Sequence, residues 1–294
     1  MRTLLTGLLA LALWPAAAHA QAELDQRIDK GQAIVRDRAV LASGHVDIGP
    51  RFVDGRWTLL VHDDAAKADP DGTSVWRPTE QTVLQVRDEA ILRIPDDPAY
   101  AFLRGKPGTD VHVVPQTQNP DVVWVGWNTQ DPEVMETIDR GVTMTMTGVQ
   151  GPGELIVYLQ SGDFAEPDVL WDSAAKPAPV WVDVNTHTHA NWVFSKPGVY
   201  LVRVRIDAEL VDGRTVSDTR VLRFAVGSRT STDEAFAAAW TTRDAPRKTT
   251  TAAPSEEPSG FPLGVLLAVA AAALAAGFAL MVARGRGAKR RARA

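Results

Sequence analysis

The chain of 294 residues contains no cysteine. This absence excludes disulfides, thiolate catalysis, iron–sulfur clusters and zinc sites with cysteine ligands. A metal ion bound by this chain must therefore have nitrogen and oxygen ligands. The sequence also lacks a glycine-rich nucleotide-binding loop and a nucleophile motif, so it does not predict an enzyme.

Basic side chains are scarce between the two ends of the chain. Residues 21–260 contain 24 lysine and arginine residues against 36 aspartate and glutamate residues, a net charge of −12. Nucleic-acid recognition depends on a basic surface, so this region is not expected to bind nucleic acid. An acidic region is compatible with attracting cations, although it also serves solubility alone.

Long uncharged runs are confined to the two ends. Residues 1–20 combine Arg2, an apolar run and the small residues before position 21, which is typical of a secretory signal peptide cleaved after Ala20. Residues 261–283 carry no charge over 23 positions, enough for a transmembrane helix. Residues 284–294 contain six basic side chains, which favour the cytoplasmic side. We therefore predict a single-pass membrane protein with an extracellular region; a nucleic-acid-binding tail is the alternative.

The extracellular region divides by composition. Residues 21–227 form the predicted β-rich ectodomain, whereas residues 228–260 are rich in threonine, serine, proline, glutamate and alanine. Such a composition buries too little apolar surface to offset the loss of chain entropy, so it predicts a disordered stalk. Within it, residues 231–240 have a polar start and an alanine run that are compatible with a short helix.

Alternation with a period of two residues predicts an all-β ectodomain. In residues 142–147, valine or methionine alternates with threonine, and residues 200–207 and 222–226 also alternate. Short strands separated by glycine and proline turns favour an immunoglobulin-like β-sandwich, with residues 142–227 as a possible immunoglobulin-like unit. Whether the preceding residues form a second domain is left open by the pattern. Further predicted strands are Ile34–Leu41, Trp57–His62, Thr82–Arg87, Val111–Val114, Val122–Val125, Glu154–Gln160 and Val180–Val184.

Two short motifs predict a metal site. His187 and His189 are two residues apart, so on an extended backbone both imidazoles point to the same side. His45 and Asp47 have the same spacing. Imidazole and carboxylate are common zinc ligands, and manganese accepts more oxygen donors. The two motifs together predict one zinc or manganese site; a polar surface strand is the alternative.

The remaining histidines of the predicted mature chain are weaker candidates. His62 precedes two aspartates at the end of a predicted strand, so it is either a further ligand or a solvated residue. His112 lies in a short apolar run, as a ligand or a hydrogen-bonded core residue. Asn191 lies one further step of two beyond His189, where it either joins the ligand face or caps a turn. Histidine can also ligate haem iron, but no motif here singles haem out.

Three segments of the sequence form a recognisable set: Gly44-His45-Val46-Asp47, Pro115-Gln116 followed by 123–129, and 187–192 followed by Phe194, Pro197, Gly198 and Tyr200. They resemble a known family, the actinobacterial surface-anchored proteins with a choice-of-anchor M domain. The resemblance spans most of residues 35–226. Its members are exported, end in differing anchors, and are often encoded beside metal-type ABC transporters whose binding protein carries a related domain. The chain shows no Leu-Pro-x-Thr-Gly motif, so attachment by sortase is not predicted.

Two classes of function follow. The first is a membrane-anchored surface protein that captures zinc or manganese, and the resemblance implies transfer to the substrate-binding protein of a metal-type ABC transporter. The second is an immunoglobulin-like adhesin or spacer whose histidines only pack and form hydrogen bonds. A hydrolytic metal enzyme is the weaker third class, because no carboxylate motif beside the histidines suggests a general base.

Overall fold

The computed structural model describes residues 28–65, 72–161 and 166–241. The predicted signal peptide, membrane helix and basic tail lie outside the described residues, as do residues 242–260 of the predicted stalk. Within the described ranges, no helix is both long enough and apolar enough to cross a membrane. The described residues belong to one compact unit.

Strands dominate this part of the chain, as predicted, and the all-β class is confirmed. Two short α-helices, α1 (Pro132–Thr137) and α2 (Thr232–Ala237), and 3-10 turns at Thr79–Gln81, Asp88–Ala90 and Pro98–Leu103 accompany them. The strands are β1 (Ala39–Leu41), β2 (Gly44–Val53), β3 (Arg56–Asp63), β4 (Val75–Pro78), β5 (Thr82–Val86), β6 (Ile91–Arg93), β7 (Asp110–Val114), β8 (Val123–Asn128), β9 (Ile138–Gln150), β10 (Leu155–Leu159), β11 (Asp168–Asp172), β12 (Pro179–Asp183), β13 (His187–His189), β14 (Asn191–Phe194), β15 (Gly198–Leu210) and β16 (Thr215–Val226).

The strands form three sheets. The six-stranded sheet has the order β1-β5-β16-β15-β9-β12, and the β14 sheet has the order β11-β10-β14-β7-β6. The third, which we call the β8 sheet, has the order β13-β8-β2-β3-β4. Most neighbours are antiparallel, but β2 pairs with β8 in parallel, as β5 does with both β1 and β16.

Residues 142–227 do not form a self-contained unit. Their strands are distributed over all three sheets, and each sheet also contains strands from the first half of the chain. Strand β14, for example, lies between β10 and β7, and β16 lies between β15 and β5. The two halves of the described chain therefore fold together, which answers the question of domain number that the sequence pattern leaves open.

The core is built from the inward faces of the three sheets. The alternation in residues 142–147 has the predicted consequence, because Val142, Met144 and Met146 are buried while the intervening threonines are only partly so. The ring of Phe224 contacts those of Trp192 and Phe194 where the β14 sheet meets the six-stranded sheet. One continuous apolar cluster thus supports all three sheets.

The prediction of one strand over Ile34–Leu41 is wrong. Only Ala39–Leu41 forms a strand there, and Ile34 makes an isolated bridge to Trp76. Arg36, Asp37 and Arg38 interrupt the apolar run, so few side chains between Ile34 and Ala39 have a buried face to occupy. The other six strands predicted by their bounds are present with ends shifted by at most three residues, and the alternating segments 142–147, 200–207 and 222–226 lie within the longer strands β9, β15 and β16.

The predicted start of the disordered stalk at residue 228 is also wrong for residues 228–241. Helix α2 lies within the segment for which a short helix was considered, and its Ala235 is buried with Val83 and Ala225. Ser228 N donates to Asp88 Oδ1 at 2.9 Å, and Thr241 N donates to Gln150 Oε1 at 3.1 Å. A few well-placed tertiary contacts outweigh the polar composition, so the folded region includes residues 228–241.

Candidate metal centre

One strand brings the two predicted motifs together. Strand β8 pairs with β13 on one side and with β2 on the other. Gly126 of β8 is opposite His189 of β13 and also opposite Asp47 of β2. Directly paired residues point to the same side of a sheet, so the His189 and Asp47 side chains extend over the same glycine.

Gly126 allows this approach because it has no side chain. A Cβ atom at this position would lie 2.6 Å from Asp47 Oδ1 and 2.8 Å from His189 Cε1. It would also lie 2.6 Å from the backbone oxygen of Thr188. Every other residue would therefore push the two side chains apart, and the space above Gly126 is occupied by the candidate ligands themselves.

Four side chains converge here, and we call them the histidine–aspartate cluster: His45, Asp47, His187 and His189. The three Nε2 atoms form a triangle with sides of 3.0 Å. Asp47 Oδ2 lies 3.1 Å from His187 Nε2 and 3.5 Å from His45 Nε2, and Asp47 Oδ1 lies 3.7 Å from His189 Nε2. Each residue thus directs one ligand atom at a common point.

Hydrogen bonding alone cannot satisfy the triangle of nitrogens. A ring nitrogen of a histidine is either a donor or an acceptor. Among three Nε2 atoms at least two must have the same role, so at least one 3.0 Å contact joins two lone pairs or two hydrogens. A cation among them removes this conflict, because it accepts the lone pairs of all three imidazoles at once.

The cluster is nearly closed to solvent. The exposed fractions of the His187, His189 and Asp47 side chains are 4%, 3% and 0%, and that of His45 is 13%. Asn128 Nδ2 donates to Asp47 Oδ2 at 3.0 Å. Asp47 Oδ1 is buried and has no hydrogen-bond partner within the described ranges. A buried carboxylate oxygen without a partner is costly unless a cation binds it.

The cluster also separates the protonation states of its members. Burial acts to raise the pKa of Asp47, but hydrogen bonds and charges from His187 and His45 hold it well below its ordinary value. Burial acts to lower the pKa of His45, yet Asp47 and Asp64 raise it to about 9. For His189, burial dominates and lowers the pKa to about 3. In the metal-free protein, a proton on His45 is thus the favoured partner of the buried carboxylate.

The donor set fits a transition-metal ion. Zinc bound at ~2.0–2.1 Å in a tetrahedron has ligand atoms about 3.3 Å apart. The observed separations of 3.0–3.7 Å span that value. Three imidazoles and one carboxylate would hold the ion, whose charge would then replace the proton on His45.

His62 and His112 lie outside the cluster. His62 is fully buried on β3, where its Nε2 lies 2.8 Å from Gln32 Oε1 and its ring contacts Trp76. His112 is on β7 in the β14 sheet, and its Nε2 lies 3.3 Å from Asp88 Oδ1. The structure therefore assigns neither of these weaker candidates to the group of ligands.

Asn191 has a structural contact instead of a place in the cluster. It begins β14, and its Oδ1 accepts a hydrogen bond from the backbone N–H of Gln116 at 2.9 Å. Strand β13 ends at His189, and Ala190 separates it from β14. The alternation that places His187 and His189 on one face therefore does not continue to Asn191.

Three neighbouring residues matter at the site although spacing did not identify them. Trp124 stacks on the His189 ring with centroids 3.7 Å apart and an interplanar angle of 12°. Asp64 Oδ2 accepts from His45 Nδ1 at 2.9 Å. Gly126 has no side chain and so leaves room for the Asp47 and His189 side chains. One feature of the sequence could have identified Asp64: it lies two residues after His62, next to Asp63. From the sequence, these two aspartates led us only to consider His62 as a ligand.

The chain matches no protein-family model, no curated protein and no solved structure. The resemblance to surface proteins with a choice-of-anchor M domain therefore stays a prediction, carried by the motifs alone.

Proposed function

We propose that this protein is a membrane-anchored cell-surface protein that captures a divalent transition metal, with His45, Asp47, His187 and His189 as ligands. The observation that carries the proposal is the triangle of three Nε2 atoms at 3.0 Å beside a buried carboxylate. An adhesin or spacer with an immunoglobulin-like architecture needs no such arrangement, since packing alone would not direct three imidazoles at one point.

Zinc is favoured over manganese. Three nitrogen donors and one carboxylate match the tetrahedral N and O sites of zinc, whereas manganese prefers more oxygen ligands. The ligands come from two strands that flank β8, and three of their four side chains are less than 5% exposed. A site this closed to solvent suits a four-coordinate ion better than a six-coordinate ion that keeps several water ligands.

Capture fits the site better than catalysis. Catalytic zinc sites keep a coordination position open for water, while closed four-ligand sites hold the ion. Here four protein groups are available, and His45 is the most solvent-accessible of the ligands. The ion would enter and leave past His45, and transfer to the substrate-binding protein of an ABC transporter remains the proposed destination.

Metal content tests the proposal directly. The fragment 21–241, purified without a histidine tag, is expected to contain close to one zinc ion per chain by mass spectrometry. Addition of zinc at 100 times the dissociation constant to the metal-free fragment is expected to stabilise it by about 2.7 kcal/mol. Circular dichroism of the metal-free fragment controls for folding.

Two outcomes would redirect the proposal. A folded fragment that binds neither zinc nor manganese at neutral pH would favour the adhesin or spacer function. Binding of manganese in clear preference to zinc would keep the metal-capture function and overturn the assignment of the ion.

A further inference from the structure

We infer that Asp64 is a positioning residue of the proposed metal centre, which orients His45 and supplies the second negative charge needed to neutralise a divalent ion. This inference rests on the proposed function and extends it to the charge selectivity of the same site. Asp64 contacts a candidate ligand and is not a member of the histidine–aspartate cluster itself.

The hairpin of β2 and β3 places Asp64 beside His45. Asp64 directly follows β3, and its backbone N–H donates to the backbone oxygen of His45 at 3.1 Å. Its side chain then turns to the His45 ring, where Oδ2 lies 2.9 Å from Nδ1. The carboxylate accepts the Nδ1 proton, so a neutral His45 must present the lone pair of Nε2 to the other members of the cluster.

The Asp64 carboxylate is itself held in place. Ser74 Oγ donates to its Oδ1, and the Asp64 side chain is only 6% exposed. His62 Nδ1 lies 3.7 Å from Asp64 Oδ2, while His62 Nε2 lies 2.8 Å from Gln32 Oε1. His62 thus belongs to the layer that supports Asp64, which gives this buried histidine a role other than that of a ligand.

A charge count distinguishes the ions that this arrangement suits. Asp47 lies within 3.7 Å of all three histidines, Asp64 contacts His45, and both carboxylates are buried. Two carboxylates and three neutral imidazoles carry a charge of about −2 in total, which a divalent ion cancels. A monovalent ion would leave a net negative charge in a site with little solvent, and uncompensated buried charge is unfavourable.

Two substitutions separate orientation from charge. In Asp64→Asn the amide oxygen can still accept the His45 Nδ1 proton, but the negative charge is lost. In Asp64→Ala both the acceptor and the charge are lost. The full-length protein is used, with zinc and copper(I) as divalent and monovalent probes, each measured by competition with a chromophoric chelator under anaerobic conditions.

The expected losses differ between the two ions. Loss of a carboxylate that orients a ligating histidine lowers metal affinity by roughly 10- to 100-fold. Coulomb energy scales with the charge of the ion, so for Asp64→Asn the logarithm of the loss for copper(I) should be about half of that for zinc. Asp64→Ala should weaken both ions further, because His45 then loses its orientation.

Asp88→Asn is the matched control, since Asp88 Oδ1 also contacts a histidine, His112, away from the cluster. It should leave both affinities unchanged. If Asp64→Asn binds zinc like the wild type, or if it loses equal affinity for both ions, the inference is wrong. If the wild-type protein binds no zinc, the proposed function itself fails, and the two failures are thereby distinguished.

Discussion

Two buried histidine environments in this protein differ in what surrounds them. His112 on β7 contacts one carboxylate, that of Asp88, at 3.3 Å. His189 on β13 contacts two further imidazoles at 3.0 Å, and the carboxylate of Asp47 lies 3.7 Å away. Both side chains are less than 10% exposed. Burial beside a carboxylate is therefore common to both, and only the convergence of several lone pairs distinguishes the candidate metal centre.

The sharpest test of this difference removes one histidine from each environment. His187→Ala and His189→Ala should each lower zinc affinity by more than about 100-fold, because even loss of an outer partner of a ligand costs 10- to 100-fold. His112→Ala should change it by less than about twofold, and His62→Ala should have an intermediate effect. Isothermal titration measures the affinities.

Circular dichroism and thermal unfolding must show that each variant is folded before its affinity is compared. Equal zinc affinity in wild type, His187→Ala and His189→Ala would mean that the cluster is not a metal site.

The pH dependence of zinc binding tests whether the carboxylates around the cluster raise the pKa of His45 as described. Because the pKa of His45 is raised to about 9 in the metal-free protein, zinc must displace a proton from it at neutral pH. Zinc affinity should therefore rise by about tenfold per pH unit from roughly pH 6.5 to 9. The His45→Gln variant, if it retains measurable binding, should show a shallower slope.

The stability of the metal-free protein should change in the opposite direction. A group with a raised folded-state pKa contributes stability that is complete below its unfolded value of ~6.5 and is lost as the pH rises through the folded value. Metal-free protein should therefore lose the contribution of His45 between pH 6.5 and about 9, as followed by urea unfolding. In the preceding experiment on zinc binding, a zinc affinity that does not vary with pH would exclude imidazole ligands.

A glycine substitution gives the smallest expected effect. In Gly126→Ala the new Cβ would meet Asp47 Oδ1 at 2.6 Å and His189 Cε1 at 2.8 Å, so both ligands must move. We expect zinc affinity to fall by about tenfold and the free energy of unfolding to fall by ~1–3 kcal/mol. Gly31→Ala is the control, since nothing lies within 4 Å of its added Cβ and its φ is not positive. Unchanged zinc binding in Gly126→Ala would contradict the described approach of the two strands.

The strands were easier to predict than their partners. Alternation of apolar and polar residues in β9 and β15 reports a buried face, and both strands are present with that face inward. Several strands were not predicted, among them β2 and β14 and the short strands β4, β6 and β11, whose three to five residues carry too little periodicity. Helix α2 could be anticipated as a helix, but its docking onto the six-stranded sheet depends on contacts that composition does not report.

For the candidate ligands, too, the local arrangement could be predicted from the sequence but the tertiary contacts could not. The spacing of two residues in His45 and Asp47, and again in His187 and His189, was enough to place each pair on one face, because side-chain direction along a strand is a local property. That the pairs meet could only be a hypothesis. His45 and His187 are 142 residues apart in the sequence. Their strands, β2 and β13, are not neighbours in the sheet, because β8 lies between them.

By itself the sequence determined the β class of the described region, the shared face within each ligand pair and the acidic balance of charge, because these depend on residue type and nearest spacing. Only the tertiary structure decided that β8 joins the pairs, that Gly126 leaves room for them, and that Asp64 contacts His45. The physical reason is that strand order and register are set by packing among residues distant along the chain, and a single-residue shift would turn these side chains to the opposite face.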